Sequence, residues 1–215
     1  MANAERMSAI EAETNKKLIE RTRLLKEQTV ELARQKEAVD TRVSDKVMDL
    51  RGDVGLYNKN NPDAPIDYDE QVGKEINRIK QSVNITPILK EMQNASRETF
   101  KALKADLASV NVADLDNDIK QMIRTIIRMG DDPSLEELKA EIDQLNLALD
   151  ETVKGSRDAV KDVVSPEAGK KVDALTQDLR EQAQVERDLA IAKRDGAKAQ
   201  ETASQSIANA RGAQK

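Results

Sequence analysis

Few side chains in this sequence could carry out chemistry. The 215 residues include no histidine and no cysteine, so nucleophile, general base or metal ligand would have to be carboxylate, lysine, serine or tyrosine. Asp114, Asp116 and Asp118 alternate as at the start of a calcium-binding EF-hand loop. The sixth position of such a loop is Ile119 where glycine is required, and the twelfth is Thr125 where a glutamate belongs. Acidic residues at a helix N-terminus explain the pattern better.

Other catalytic arrangements are missing from the sequence. Adjacent carboxylates such as Glu136 and Glu137 fit the first turn of a helix, where negative charge is favourable. The eight glycines form no phosphate-binding loop. The sequence therefore predicts a protein that is not an enzyme, with no cofactor and no metal.

Arg124 and Arg128 form the most suggestive charged pair, four residues apart within QMIRTIIRM. In one interpretation their stems cover an apolar seam while the guanidinium groups stay in water, paired with acids of the next helix. In the other, they contact an acidic partner surface or lipid head groups. Both interpretations stay open at this point.

Tyr57 and Tyr68 are the only tyrosines, and both lie in the segment GLYNKNNPDAPIDYD. Its two prolines and its asparagines predict a loop over residues 55–69. The loop is either a solvated connection or a contact surface in which the tyrosines anchor a partner.

The composition indicates which elements position these residues. Charged residues make up 35% and aromatic residues 1%, a profile typical of long helices and coiled coils. Without aromatic bulk, a core must be built from thin aliphatic seams, which suits helix-on-helix packing. The prediction is an all-α protein, an elongated helical bundle or coiled coil of about four to six helices.

Residues 1–54 are predicted to form a long coiled-coil-like helix. Leu18, Leu25, Leu32 and Val39 recur every seven residues. A stripe this narrow cannot stabilise a long helix alone. These four residues are therefore candidate interaction residues that need a partner helix.

The central region, residues 70–154, is predicted to contain a break at Asn84–Pro87, with Thr86 as the cap and Pro87 as the first helical residue. Gly130 is expected to end a helix in the left-handed conformation. An antiparallel hairpin is predicted near residues 112–153, with its turn at 130–133 and Ile123, Ile126 and Ile127 at its packing centre.

Residues 155–215 are predicted to form a C-terminal helix, with restarts after Gly155 and after Ser165. From Ala190 onward the sequence is rich in alanine, so it has helix propensity without a wide apolar face. This tail is expected to fray, or to dock only in an assembly.

Charge and hydropathy limit the partners. The 35 basic and 40 acidic residues give a net charge of −5 and are interleaved along the chain, so nucleic-acid binding is not expected. The N-terminus lacks the apolar core of a secretory signal, and no run of about 18 apolar residues could span a membrane. The sequence predicts a soluble protein, cytoplasmic or otherwise intracellular, with assembly into a virion as one setting.

Residues 97–150 include RETFKALKADLASVNVADLDNDIKQMI and SLEELKAEIDQLNLAL, and they are similar to the central and later helices of ESCRT-III proteins. That family and the related PspA family polymerise all-helical subunits on membranes, which the resemblance would imply here. Residues 1–54 differ from the usual basic first helix of that family, since their charges are balanced.

Three functional hypotheses follow. The first is a structural protein, an elongated helical subunit that self-associates as a homo-oligomer or scaffolds a larger complex such as a filament or capsid. The second is a peripheral membrane-remodelling polymer of the ESCRT-III or PspA type. The third is a helical adaptor or inhibitor that binds one specific protein through Tyr57 and Tyr68.

Overall fold

The computed structural model describes residues 2–130 and 135–212. The described residues form six α-helices and one π-helical turn at Tyr68–Val72, with no strand among them, which confirms the all-α prediction. The helices are α1 (Ala2–Asn60), α2 (Gly73–Met92), α3 (Arg97–Ser109), α4 (Asn117–Arg128), α5 (Leu135–Val163) and α6 (Pro166–Gly212).

The chain forms two compact units. Unit 1 combines the residues up to Ala38 with those from Val185 onward, and unit 2 comprises Val39–Gln184. Helices α1 and α6 pack as a hairpin and contribute residues to both units. Unit 2 holds the large cores, whereas unit 1 is built from these two helices alone.

One core of unit 2 lies among α2, α3, α4 and α5. Its fully buried side chains are large and aliphatic: Ile85, Leu89, Met92, Leu103, Leu107, Ile126, Ile142, Leu145 and Leu149. Ile123 is also buried here, and Ile127 packs against the cluster. The predicted hairpin of α4 and α5 is therefore confirmed, while its predicted turn, apart from Gly130, lies outside the described residues.

The other core of unit 2 joins α1, α2, α5 and α6. It uses smaller, mostly β-branched residues: Val39, Val43, Leu50, Val54, Val72, Ile76, Ile79, Val83, Val153, Val160, Val164, Ala168, Val172, Leu175, Leu179 and Ala183. Across this core Arg42 Nη2 lies 2.7 Å from Glu181 Oε2, and Lys171 Nζ lies 2.6 Å from Asp53 Oδ2. These pairs fix the antiparallel register of α1 and α6 within the unit.

The predicted break at residues 84–87 is wrong. Helix α2 continues through Pro87 to Met92, and Thr86 does not cap a helix but donates from Oγ1 to the carbonyl of Ser82 at 3.2 Å. A proline inside a helix costs about 3 kcal/mol. Complete burial of one side chain such as Ile85 or Leu89 contributes about 1.5–3 kcal/mol, so burial on both sides of Pro87 outweighs that cost.

The helix break lies nine residues later than predicted, at residues 93–96 between α2 and α3. Ser96 caps α3 by accepting a hydrogen bond from the Thr99 amide at 3.4 Å. A serine at the N-cap is a strong helix start signal. The Ser96 signal is less prominent in the sequence than that of Pro87, so the break was predicted at the proline.

The predicted restart after Gly155 is also wrong. Helix α5 runs without interruption through Gly155 and Ser156 to Val163, and the restart at Pro166 is the one that occurs. Helix α6 then continues through the alanine-rich segment to Gly212. A glycine inside a helix costs about 1 kcal/mol, which the buried Val153 and Val160 on either side outweigh.

The predicted loop at residues 55–69 is shorter than expected, since α1 extends to Asn60. The Asn58 side chain donates to the carbonyl of Ile66 at 2.8 Å and accepts from its amide at 2.7 Å. This two-way pairing closes the loop directly onto the last turn of α1. Gly55 lies within the helix and does not begin the loop.

The left-handed conformation predicted for Gly130 does not occur, since no described glycine has a positive φ. Helix α4 instead ends at Arg128, and Met129 is extended with φ −53° and ψ 147°. The Met129 amide donates to the carbonyls of Thr125 and Ile126. Two carbonyls of the last turn of α4 are therefore satisfied without a glycine cap.

Replacing Gly155 with alanine is expected to raise the free energy of unfolding by about 1 kcal/mol, because the residue lies inside a helix. The position is exposed, and an added Cβ would meet no atom within 4 Å. Urea unfolding followed by circular dichroism measures the change.

Gly169→Ala is the matched control, since the added Cβ would lie 2.7 Å from Lys161 Cε. The control is expected to gain less stability than Gly155→Ala. Equal gains in unfolding free energy at both positions, or a loss at Gly155, would contradict the placement of Gly155 at an unhindered position inside α5.

Candidate interaction surfaces

The alternating aspartates serve as structural contacts of the loop before α4. The Gln81 side chain, which is buried, donates from Nε2 to Asp114 Oδ2 at 2.9 Å and accepts from the Asp114 amide at 3.0 Å. Arg78 donates to the Asp114 carbonyl and to Asp116 Oδ1, each at 3.0 Å. Two of the three acids are therefore occupied in fixing the loop to α2.

The heptad leucines of α1 lie on the side that faces α6 in unit 1. Leu18, Leu25 and Leu32 are half-buried, whereas Val39 is buried in the core of unit 2. The hydroxyls of Thr22 and Thr29, which lie between the leucines, donate to carbonyls of their own helix. The seam therefore has the predicted heptad spacing, but only Val39 is fully buried.

The facing part of α6 contributes small residues to unit 1. Ala192 and Ala199 are buried and lie seven residues apart, which matches the heptad spacing of α1. Lys36 Nζ pairs with Glu186 Oε1 at 3.0 Å. A leucine seam against an alanine seam buries less apolar surface than two leucine seams do.

Unit 1 consequently leaves apolar surface uncovered. No α1 side chain between Ala12 and Ala38 is buried. Ile19, Leu24 and Val30 are 71%, 53% and 55% exposed. Val30 also borders a groove of about 470 Å³ that Leu25 and Ala197 help to line. We call this part of α1 and α6, residues 12–38 and 185–205, the unit 1 hairpin.

The two tyrosines are less available than a contact loop would require. Tyr68 is half-buried and packs against the core that joins α1, α2, α5 and α6. Its hydroxyl donates to the Val47 carbonyl at 3.4 Å, and the Arg51 guanidinium lies 4.9 Å from its ring centre. Tyr57 is also half-buried, within the last turns of α1.

Burial raises the pKa of Tyr68, and nearby Arg51 opposes this shift only in part. Arg51 itself bonds Asp69 Oδ1 at 2.7 Å, and this bond raises the pKa of the guanidinium. Tyr68 therefore holds the loop end against α1. Its position does not favour a role as an outward-facing anchor.

Arg124 and Arg128 are exposed on α4, away from the buried Ile119, Ile123 and Ile126. Among the side chains that the structure describes, residues 12–130, 137–165 and 167–205, neither arginine has an ion pair or a side-chain hydrogen bond. The predicted pairing is therefore not seen with the described acids of α5, while Glu136 lies outside the described side chains.

A groove with an acidic rim, which was not predicted from the sequence, lies between α2, α4 and α5 in unit 2. Glu75, Asp116, Asp118 and Glu151 surround it, and its volume is about 580 Å³. We call it the acidic groove. Its residues come from three distant segments, so no local pattern revealed it, and Gly155 was interpreted as a helix break.

Tyr68 is expected to ionise above the ordinary tyrosine pKa of about 10, because burial raises its pKa. A Tyr57→Phe variant leaves Tyr68 as the only tyrosine, so its tyrosinate absorbance can be followed with pH. The midpoint should lie above the ordinary value in the folded protein and return to it in concentrated urea.

The same shift links Tyr68 to stability. Because its folded-state pKa is raised, its contribution is present below the unfolded pKa and is lost as pH rises through the folded value. Above about pH 10 the wild type should therefore lose more unfolding free energy than Tyr68→Phe. Parallel pH profiles for the two proteins would contradict the assignment.

No protein-family model, no curated protein and no solved structure shows a significant match to this chain.

Proposed function

We propose that this protein is a non-enzymatic structural subunit that self-associates through the unit 1 hairpin. The observation that supports this proposal is the exposure of α1 between Ala12 and Ala38, where no side chain is buried although leucines recur every seven residues. In a coiled coil such leucines are largely covered by partner helices. A second copy of the hairpin would provide that cover.

The geometry of α1 places suitable residues together. Ile19 and Val30 are eleven residues apart, close to three helical turns, so they lie on the same side of α1. Leu24 lies on the opposite flank of the leucine seam. Two apolar flanks give an added helix a surface on either side of the hairpin.

The energies are of the right order for concentration-dependent association. Covering one such side chain contributes about 1.5–3 kcal/mol. Ile19 and Val30, the pair on one flank, would together contribute at most about 6–12 kcal/mol from two copies. Association itself costs about 4–15 kcal/mol, so the net affinity is expected to be modest and to depend on each of these residues.

The membrane-remodelling alternative ranks second. Its support is the exposed pair Arg124 and Arg128, which have no partner among the described side chains. Each basic residue near an anionic surface contributes only about 1 kcal/mol. No helix in the described ranges is long and apolar enough to cross a membrane. Two arginines alone would therefore give weak binding to a bilayer surface.

The double variant Ile19→Lys with Val30→Lys is expected to shift the protein toward monomer, because two cations would have to be desolvated at the hairpin contact. Light scattering after size-exclusion chromatography, over a range of protein concentrations, measures the average mass. The dissociation constant should rise by at least tenfold.

Leu147→Lys is the matched control, since Leu147 is 64% exposed but belongs to α5 in unit 2. The control should keep the mass distribution of the wild type. A wild type that stays monomeric at every concentration, or equal effects of the two changes, would overturn the role of the hairpin.

A further inference from the structure

The acidic groove carries two carboxylates without a cation. Arg78 pairs with Glu75 at 3.5 Å and with Asp116 at 3.0 Å. Asp118 and Glu151 make no ion pair or side-chain hydrogen bond within the described part of the chain. The groove therefore retains negative charge after its internal pairing is complete.

The acidic groove is deep along α5 because the residues that α5 contributes to its lining are small. Ala148, Gly155 and Ala159 line it, and an added Cβ at Gly155 would meet nothing within 4 Å. Ile119 and Met122 supply an apolar wall from α4. Long side chains with an apolar stem and a charged head fit such a groove.

Ser156 contributes a hydroxyl to the lining of the groove. Its side chain is 3% exposed, and its hydroxyl has no hydrogen-bond partner among the described residues. Thr152, one turn earlier, instead donates to the Ala148 carbonyl at 2.9 Å. Ser156 Oγ is not one of the buried polar atoms that lack a partner, so it is open to the groove and can accept from a donor that enters there.

The geometry points to Arg124 and Arg128 of a second copy as the occupants of the acidic groove. A guanidinium presents five donors in a planar fork that matches carboxylates and has no acceptor. The two guanidinium groups, which have no partner among the described side chains, thus complement the two carboxylates Asp118 and Glu151, with Ser156 Oγ as a further acceptor. At a spacing of four residues the two arginines are neighbours on one side of α4.

The contact joins different surfaces of the two copies. At 3.6 residues per turn, Arg124 and Arg128 lie roughly 120–160° around α4 from Met122, which lines the groove. The interface is therefore heterologous, and each added copy leaves one groove and one arginine pair open. Repetition of such a contact gives a ring or an open filament. This inference rests on the proposed self-association but uses a different surface from the unit 1 hairpin.

The test uses two charge-reversed forms of the full chain. Variant A is Arg124→Glu with Arg128→Glu, and variant B is Asp118→Lys with Glu151→Lys. Each variant is expected to form no assemblies larger than the oligomer that the unit 1 hairpin holds together. The reason is that like charges then face each other across the groove contact. Sedimentation velocity at low salt measures the loss, and circular dichroism verifies that helicity is kept.

An equimolar mixture of A and B should restore the large species. The acidic pair of A then faces the basic groove of B, and the arginines of B face the native groove of A. Ser156→Ala should weaken the assembly by several-fold. The matched control is Arg97→Glu with Lys101→Glu, a cation pair of the same spacing on α3 whose two members are also exposed, and it should assemble like the wild type.

The outcomes separate this inference from the proposed function. Variant A assembling like its α3 control, or a mixture of A and B that restores nothing, would overturn the groove contact. A loss of assembly in A but not in B would also overturn the groove contact. If the wild type and B then bind anionic vesicles, the arginines contact lipid and not the acidic groove. If Ile19→Lys with Val30→Lys leaves the mass unchanged while A and B behave as expected, the hairpin contact fails and the groove contact stands.

Discussion

The antiparallel packing of α2 against α5 is the interaction on which unit 2 depends. The first half of α2 and the second half of α5 belong to the core with α1 and α6, and their other halves belong to the core with α3 and α4. Each helix is therefore buried along its length by different partners. A break in either helix would separate the two cores, so both must continue through residues that usually interrupt helices.

The helical class, the heptad seam and the α4–α5 hairpin could be predicted because each depends on local spacing of apolar residues. Ile123 and Ile126 lie in the buried cluster of α2, α3, α4 and α5, as their periodicity predicted. The wrong predictions concern Pro87 and Gly155, whose local costs of about 3 and 1 kcal/mol are real. They are outweighed by burial contributed from distant segments, which no window of sequence contains.

The candidate surfaces show the same division. Leu18, Leu25 and Leu32 could be proposed as interaction residues from the sequence because a heptad repeat indicates a contact face. The acidic groove could not, since Glu75, Asp118 and Glu151 become neighbours only after α2, α4 and α5 pack. The pairing of Arg124 and Arg128 could not be predicted either, because it depends on which acids the fold brings within reach.

The proposed groove contact depends on attraction between charges, whereas the proposed hairpin contact depends on burial of apolar side chains. Assembly through the two contacts should therefore respond differently to salt. Salt screens charges over about 10 Å at 0.1 M, so the exposed pairs at the acidic groove weaken as ionic strength rises. Burial of Ile19 and Val30 does not weaken in this way, and salts such as sulfate strengthen apolar association. A subunit with one contact of each kind would keep its hairpin-linked form at high salt while extending into larger assemblies at low salt. The ionic strength would then set the length of the assembly and leave its smallest unit unchanged.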